Sequence, residues 1–458
     1  MKPVFLAAAV LTASAGIAAH ADGPEFEPGV VLVRLSPGSL VSDINNDFGT
    51  SLLPGNAVPS RDIYLLSLPA GESESTYVGL LSDDPRIVSA DFNYYSSDIN
   101  PAGSTRRMYL SVRREEYDAD PVPAALALPD ALKASQGAGV VIAVLDTGID
   151  RTHPLLAGRV APGGFNFLSN STDTSDLPAG LDTDQDGLPD ELAGHGTIVS
   201  GLALRVAPGA RLLPIKVMDS DGYSTAFRLA QGVYHAIDLR AGVINISMGM
   251  TADTPVLREA INAASRAGVI VVAAAGNADT SAPDFPAGYA SALVLAVAAT
   301  DSSGSRAAFS NYGEWISLAA PGLNLVSTTP GGGFGLASGT SLSAPLVAGT
   351  AALVRALCPL ASPKTAVTHV LSRGLPIDAL NPGYEGLLGA GSVHAGRALG
   401  RSGTPALPCD CDRNDDLRID LTDVRLLTRN PSDVNDDGYA NLADADDLKR
   451  WLISPRRR

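Results

Sequence analysis

Cysteine is nearly absent: Cys358, Cys409 and Cys411 are the only three in 458 residues. They allow at most one disulfide and leave a thiol over, which excludes a disulfide-built scaffold and a cysteine zinc site. Aromatic residues make up only 5% of the chain, so a core must be packed mainly from aliphatic side chains. Positive charge is short as well. Lys and Arg number 33 against 49 Asp and Glu, a net charge of -16. Nucleic-acid phosphates would repel that surface, so no nucleic-acid partner is expected. An acidic exterior does suit solubility and divalent cations. Long apolar runs are also missing. The run at residues 4–18 is too short to span a bilayer, and no later membrane span is expected.

What is present is glycine (46), proline (32) and a hydrophobic fraction of 45%. That composition allows a sizeable core and many turns. The length suggests about three domains. Lys2, the apolar run and Ala19-His20-Ala21 have the order of a secretory signal peptide. Cleavage after Ala21 and a secreted, extracellular protein are the expectation.

Residues 29–35, 63–68 and 87–92 read as strands, and 39–48 and 72–82 as helices. This order fits a small α+β unit of ferredoxin-like type over residues 22–100. Residues 101–123 carry Arg106-Arg107 and Arg113-Arg114, show no period, and read as a linker. From 124 to 400 the rhythm is α/β. Continuous apolar runs at 140–145, 212–217, 243–246, 269–273 and 293–298 alternate with helical patterns such as 226–237 and 255–267. They predict a parallel sheet with helices on both faces. Sites on such sheets lie at the carboxyl ends of the strands. Residues 401–408 read as a second linker, and 409–453 form an aspartate-rich tail.

Four polar residues punctuate the α/β region: Asp146 in VLDTGID, His195 in GHGT, Asn277 in AAAGN and Ser341 in GTSLSAP. Each alone has an ordinary structural reading as a cap or turn residue. Together, in this order, they resemble the subtilisin-like serine proteases (subtilases) over residues 126–399. The resemblance implies a subtilisin-like α/β fold and hydrolysis of protein or peptide substrates. It implies Ser341 as nucleophile, His195 as general base, Asp146 as the group that orients the imidazole and Asn277 as an oxyanion donor. Physical chemistry asks for the same parts. A serine hydroxyl needs a base to take its proton, and a buried carboxylate fixes the base's tautomer. Ser247-Met248-Gly249 is similar to the family's substrate-binding strand, which recognises an extended peptide by strand addition. Ala344-Pro345 is expected to start the helix after Ser341. His153, His235 and His369 are expected to be structural. The small α+β unit resembles a subtilase propeptide, which implies that the enzyme's own propeptide is an inhibitory partner.

The tail repeats a twelve-residue pattern. Asp412, Asn414, Asp416, Asp420 and Asp423 stand at positions 1, 3, 5, 9 and 12, and so do Asp433, Asn435, Asp437, Asn441 and Asp444. This is calcium-loop spacing, and the pair resembles a dockerin type I module of small helices. A cohesin-like partner is what that resemblance implies. Position 6 is Gly438 in the second loop but Leu417 in the first, so the second is expected to be the tighter. A third acidic loop precedes the histidine. Asp182, Asp184, Asp186 and Asp190 hold positions 1, 3, 5 and 9 there. All-oxygen ligands suit a structural calcium and not a catalytic zinc. The reading is a secreted, calcium-stabilised serine endopeptidase made as a precursor. Its rival is a catalytically silent, subtilase-shaped binding protein displayed through the tail.

Overall fold

The computed structural model describes residues 25–96, 109–183, 187–289, 291–403 and parts of 426–453. The stretch expected to be a signal peptide, residues 1–21, lies outside them. So do Arg106, Arg107, Asp184, Asp186, the whole first tail loop, Asp437, Gly438 and Asn441.

The small N-terminal unit has strands β1 (Val30–Leu35), β2 (Ser51–Val58), β3 (Ile63–Ser67) and β4 (Ile87–Asp91), with helices α1 (Val41–Phe48) and α2 (Glu74–Ser82). Its sheet runs β2-β3-β1-β4 and its paired strands are antiparallel. The two-residue period of β1 sorts its side chains between two cores. Val31, Val33 and Leu35 join the unit's own core with Ile44, Tyr77 and Leu81. Leu32 faces away and, with Ile63 and Leu65, enters a core of the large domain. Strand β2 was not expected, because Pro54 and Gly55 break its pattern. It is an edge strand with a register shift between Leu52 and Ala57, where proline costs no ladder bond.

Residues 109–123 correct the expected linker. A short strand, β5 (Leu110–Val112), pairs antiparallel with Gly333–Ala337, and a helix, α3 (Arg114–Ala119), follows. Arg114 lies over the rings of Tyr117 and Phe334. Such short pieces are held by tertiary contacts and carry no readable period.

Helices α4 (Val122–Ala125) and α5 (Leu128–Ala131) lead into the large domain. Its elements are β6 (Val141–Asp146), β7 (Phe165–Asn166), α6 (His195–Val206), β8 (Arg211–Lys216), α7 (Ala226–Asp238), β9 (Val243–Ile246), α8 (Pro255–Arg266), β10 (Ile270–Ala274), β11 (Val294–Thr300), β12 (Leu318–Pro321), β13 (Leu325–Thr329), β14 (Gly333–Ala337), α9 (Thr340–Leu357), α10 (Pro363–Ser372) and α11 (Ala395–Ala398). Seven strands form one parallel sheet, ordered β12-β11-β10-β9-β6-β8-β7. Alternate residues feed opposite faces. Ile142 and Val144 of β6 pack with Ile198 and Leu202 of α6 and Leu346 of α9. Ala143 and Leu145 pack with Phe227 of α7 and Leu257 of α8. The expected parallel sheet with helices on both faces is therefore the fold.

Helix α9 is 18 residues long and apolar enough to cross a membrane by length and composition, yet 89% of it is buried in this core. In the tail, helix α12 (Leu442–Ile453) joins Leu427 and Val434 in a small cluster against Leu360 of the large domain. Cys358, two residues earlier, is disulfide-bonded, and the chain's other cysteines are Cys409 and Cys411.

Candidate active site

Two strand ends and two helix starts carry the four motif residues: Asp146 ends β6, Asn277 follows β10, and His195 and Ser341 stand at the starts of α6 and α9. Asp146 is the last residue of β6 and His195 the first of α6. Both side chains are buried, at 1% and 0% exposure. His195 Nδ1 lies 2.7 Å from Asp146 Oδ1. A carboxylate only accepts, so Nδ1 carries the proton and Nε2 is left as the basic nitrogen. Nε2 is buried and has no hydrogen-bond partner among the described residues. Asp146 Oδ1 is held in turn by the Thr147 amide at 2.8 Å.

Asp176, which sequence reasoning missed, organises the start of α6. It is 1% exposed. Its carboxylate accepts from the amides of Gly194 and Thr197 and from both the Thr147 and Thr197 hydroxyls. It satisfies amides that a helix start leaves without partners, and negative charge there is favourable. The Thr147 hydroxyl in turn accepts from the Gly196 amide at 2.9 Å. Gly196 itself is required by contact, since a Cβ there would lie 2.1 Å from the Gly148 carbonyl oxygen. Lys216 approaches from behind and donates to the Thr147 carbonyl. Burial pulls its ammonium pKa down, against the opposing pull of Asp176 and Asp146. No local pattern around SDLP marks Asp176; its role arises from the path of the chain.

Ser341 is the second residue of α9 and is 4% exposed. The expected start of this helix at Ala344-Pro345 is corrected: α9 begins at Thr340, and Pro345 lies inside it. Proline has no N–H for the carbonyl four residues back. That carbonyl belongs to Ser341, and the Ser247 hydroxyl donates to it at 2.7 Å. The proline thus frees an acceptor that ties the serine helix to Ser247, the residue after β9.

Asn277 follows β10. Its Oδ1 accepts from the Thr340 amide and hydroxyl, both at 2.9 Å. This fixes the amide so that Nδ2 faces the Gly339–Ser341 turn, 3.7 Å from where a Gly339 Cβ would stand. His153 is structural, with Nε2 donating to the Gly333 carbonyl and Nδ1 accepting from Leu155. His235 Nε2 sits 2.8 Å from the Gly163 carbonyl oxygen.

The acidic loops present a mixed picture. Asp190 turns inward and accepts from the amides of Ala179, Gly180 and Leu181 and from the Ser220 hydroxyl. Asp182 accepts from the Gly187 amide, but its Oδ1 is buried without a partner among the described residues. Asp221 Oδ1 is likewise buried and unpartnered among the described residues, while Asp221 Oδ2 accepts from the Thr183 amide at 2.5 Å. In the tail, Asp444 is fully buried and accepts from the amides of Val434 and Asn435. No group of three or more His, Cys, Asp or Glu placed to hold a metal ion occurs among the described residues.

Comparison with known proteins identifies the family. Residues 137–391 match the subtilase (Peptidase_S8) family. Thermitase of Thermoactinomyces vulgaris is 38% identical over 242 residues, 51% of this chain and 80% of thermitase. Subtilisin BL of Lederbergia lenta is 38% identical over 57% of this chain and 90% of its own length. Fervidolysin from Fervidobacterium pennivorans, described as a keratinolytic enzyme related to subtilisin, has a similar fold. Its TM-score is 0.66 at 24% identity, over 82% of this chain and 61% of fervidolysin. With a parallel seven-stranded sheet and this family match, the chain belongs to the subtilases and is a serine endopeptidase.

Proposed function

We propose that the chain is a secreted endopeptidase in which Asp146, His195, Ser341 and Asn277 carry the chemistry, restrained before activation by its own N-terminal unit and stabilised by calcium. The observation that carries this reading is the buried Asp146–His195 contact at 2.7 Å, which leaves Nε2 as the basic nitrogen. His195 Nε2 takes the Ser341 proton as Oγ attacks the scissile carbonyl. Asn277 Nδ2 and a backbone amide at the α9 start donate to the oxyanion. The imidazolium, supported by Asp146, then gives its proton to the leaving amine. Water repeats the sequence to release the acyl group. A fluorophosphonate probe tests the assignment. It labels Ser341 in the enzyme and nothing in Ser341→Ala; absence of label in the folded, processed protein would favour the silent binding protein.

The N-terminal unit supports a propeptide role by its position. Leu32, Ile63 and Leu65 pack into the core that α7 and α8 share. Asn93 Oδ1 accepts from the Phe227 amide, and the Ser96 amide donates to the Ser224 carbonyl. Calcium supplies charge compensation for loop carboxylates and does no bond breaking. The orphaned oxygens of Asp182 and Asp221 suit such an ion, with Asp184 and Asp186 as further ligands by sequence. In the tail, Asp433, Asn435 and Asp444 would serve the second loop. Changing Asp182, Asp184 and Asp186 to asparagine in a protein lacking the tail should lower the thermal midpoint in calcium and abolish its response to chelator. An unchanged response would place the ion elsewhere.

A further inference from the structure

The mechanism leaves one acidic side chain at the site unused. Asp284 lies in the loop that returns from β10, and it makes no ion pair among the described residues. Its carboxylate has one side-chain hydrogen bond there, from Asn311 Nδ2 at 3.5 Å. That amide is already committed to the Ala275 carbonyl at 3.0 Å. Burial without a cation is unfavourable for a carboxylate, and it pushes the Asp284 carboxyl up to about 6.

Position gives this carboxylate a use. Strands β9 and β10 are neighbours, with Ile246 opposite Ala273 in the last common rung. Gly249 lies three residues beyond Ile246, the last residue of β9, and Gly276 two beyond Ala274, the last of β10. Both are therefore at the carboxyl ends of adjacent strands, where an open α/β sheet holds its ligand. Asp284 is packed against both. A Cβ on Gly249 would lie 3.1 Å from Asp284 Cβ, and a Cβ on Gly276 would lie 2.2 Å from Asp284 Oδ2. Met250 and Phe285 exchange two backbone hydrogen bonds, at 2.9 and 2.8 Å, which fixes the loop in place. Two residues without side chains thus flank a carboxylate that is partly open to solvent. Gly276 immediately precedes Asn277.

We propose that Asp284 is a specificity-determining residue: it sits at the end of the slot that receives the substrate side chain on the acyl side of the scissile bond, and it selects lysine and arginine there. The proposal rests on the catalytic reading of Ser341 and Asn277. A peptide laid along Ser247–Gly249 with its carbonyl at Ser341 directs that side chain between the two glycines. A guanidinium or ammonium arriving there supplies the cation that the carboxylate lacks, and arginine can bond it through two N–H groups. An apolar side chain would leave the charge buried and unpaired. A glutamate would add repulsion.

The test compares kcat/KM on tetrapeptide anilides that differ only in the residue before the cut: Arg, Lys, Phe, Leu and Glu. The native enzyme should favour Arg and Lys over Phe by about 10-fold or more, and the Arg-to-Phe ratio should fall about 10²-fold in Asp284→Asn, the scale of losing one partner of a buried charge pair. Asp284→Glu should recover part of the ratio. A measurement that needs no variant guards against misfolding. Benzamidine should inhibit the native enzyme competitively, and its neutral analogue benzyl alcohol should not. Fluorophosphonate labelling of Ser341 is run in parallel. Labelled enzyme that cuts after Phe or Leu at least as well as after Arg, or that ignores benzamidine, overturns the role of Asp284 and leaves the catalytic reading standing. Failure to label Ser341 sinks both.

Discussion

The two large sheets of this molecule solve burial in opposite ways. The seven-stranded sheet is covered on both faces by helices of its own domain, so Ile142 and Leu145 are each buried by local partners. The four-stranded sheet has its own helices on one face only. Its other face, with Leu32, Ile63 and Leu65, is completed by the large domain. Each such aliphatic side chain contributes about 1.5–3 kcal/mol when buried. The first sheet is therefore self-sufficient as a scaffold, while the second has a face that needs a partner. That asymmetry suits the proposed role of the N-terminal unit as a docked inhibitor, because the unit docks through a buried apolar face while the seven-stranded sheet is built without it.

The largest predicted effect freezes the two sheets together. Ser341→Ala should abolish peptidase activity and accumulate the uncut precursor, with both units in one chain on a denaturing gel. In subtilisin itself, loss of this nucleophile costs about 10⁶ in turnover, and the same scale is expected here. Asn277→Ala should cost roughly 10²–10³, again the subtilisin scale for one oxyanion donor. Near-normal hydrolysis by purified Ser341→Ala would refute the site.

How much of this could be read from sequence follows the same division. The buried parallel strands were legible because continuous apolar runs such as VVIAVL admit few alternatives, and the candidate site residues were singled out by the joint resemblance of their motifs, none of them being distinctive alone. Asp176 and Asp284 were not. Each acts at a distance in sequence, Asp176 on Gly194 and Thr197, and Asp284 beside Gly249 and Gly276. Strand β2 was hidden by Pro54 and Gly55, which an edge position tolerates. Pro345 misled in a particular way: it looked like a helix start, but it sits inside α9 and frees the Ser341 carbonyl for Ser247.

The second effect strikes the shared face. Leu65 is 4% exposed and belongs to the core it shares with the large domain, not to the N-terminal unit's own. Leu65→Asp should leave the separate unit, residues 22–100, folded by circular dichroism. It should raise the concentration needed to inhibit mature enzyme by about 10²-fold or more, because the interface would bury an unpaired charge. Equal inhibition by both fragments would show that the two sheets do not meet as described.

The third effect is one of pH. Burial holds the Asp284 carboxyl at about 6, above its value in an unfolded chain. The folded state then binds the proton more tightly, so stability falls as pH rises through roughly 4 to 6 and stays lower above that window. Asp284→Asn removes the penalty. In the Ser341→Ala background, which prevents self-digestion, the asparagine protein should gain on the order of 1–3 kcal/mol at pH 7. The gain should vanish near pH 4. A midpoint difference that does not change with pH would assign the effect to packing instead of charge.

The smallest effect lies at the rim of the same contact between sheets. Arg61 of the N-terminal unit pairs with Asp238 at the end of α7 at 3.1 Å, and its guanidinium stands 5.1 Å from the Tyr234 ring centroid. The pair is exposed, with side-chain exposures of 36% and 57%. Exposed ion pairs typically contribute about 0–1 kcal/mol and weaken with salt. Asp238→Asn should therefore raise the inhibition constant of the separate unit only about 2- to 5-fold in dilute buffer, and the difference should shrink at high salt. Arg61→Ala should cost more than Asp238→Asn, because it also removes the ring contact, which salt screens less when it is desolvated. If the two substitutions weaken inhibition equally at both salt concentrations, the ring contact contributes nothing, and the docking energy rests on the buried face of Leu32, Ile63 and Leu65 and on backbone contacts such as Ser96 to Ser224.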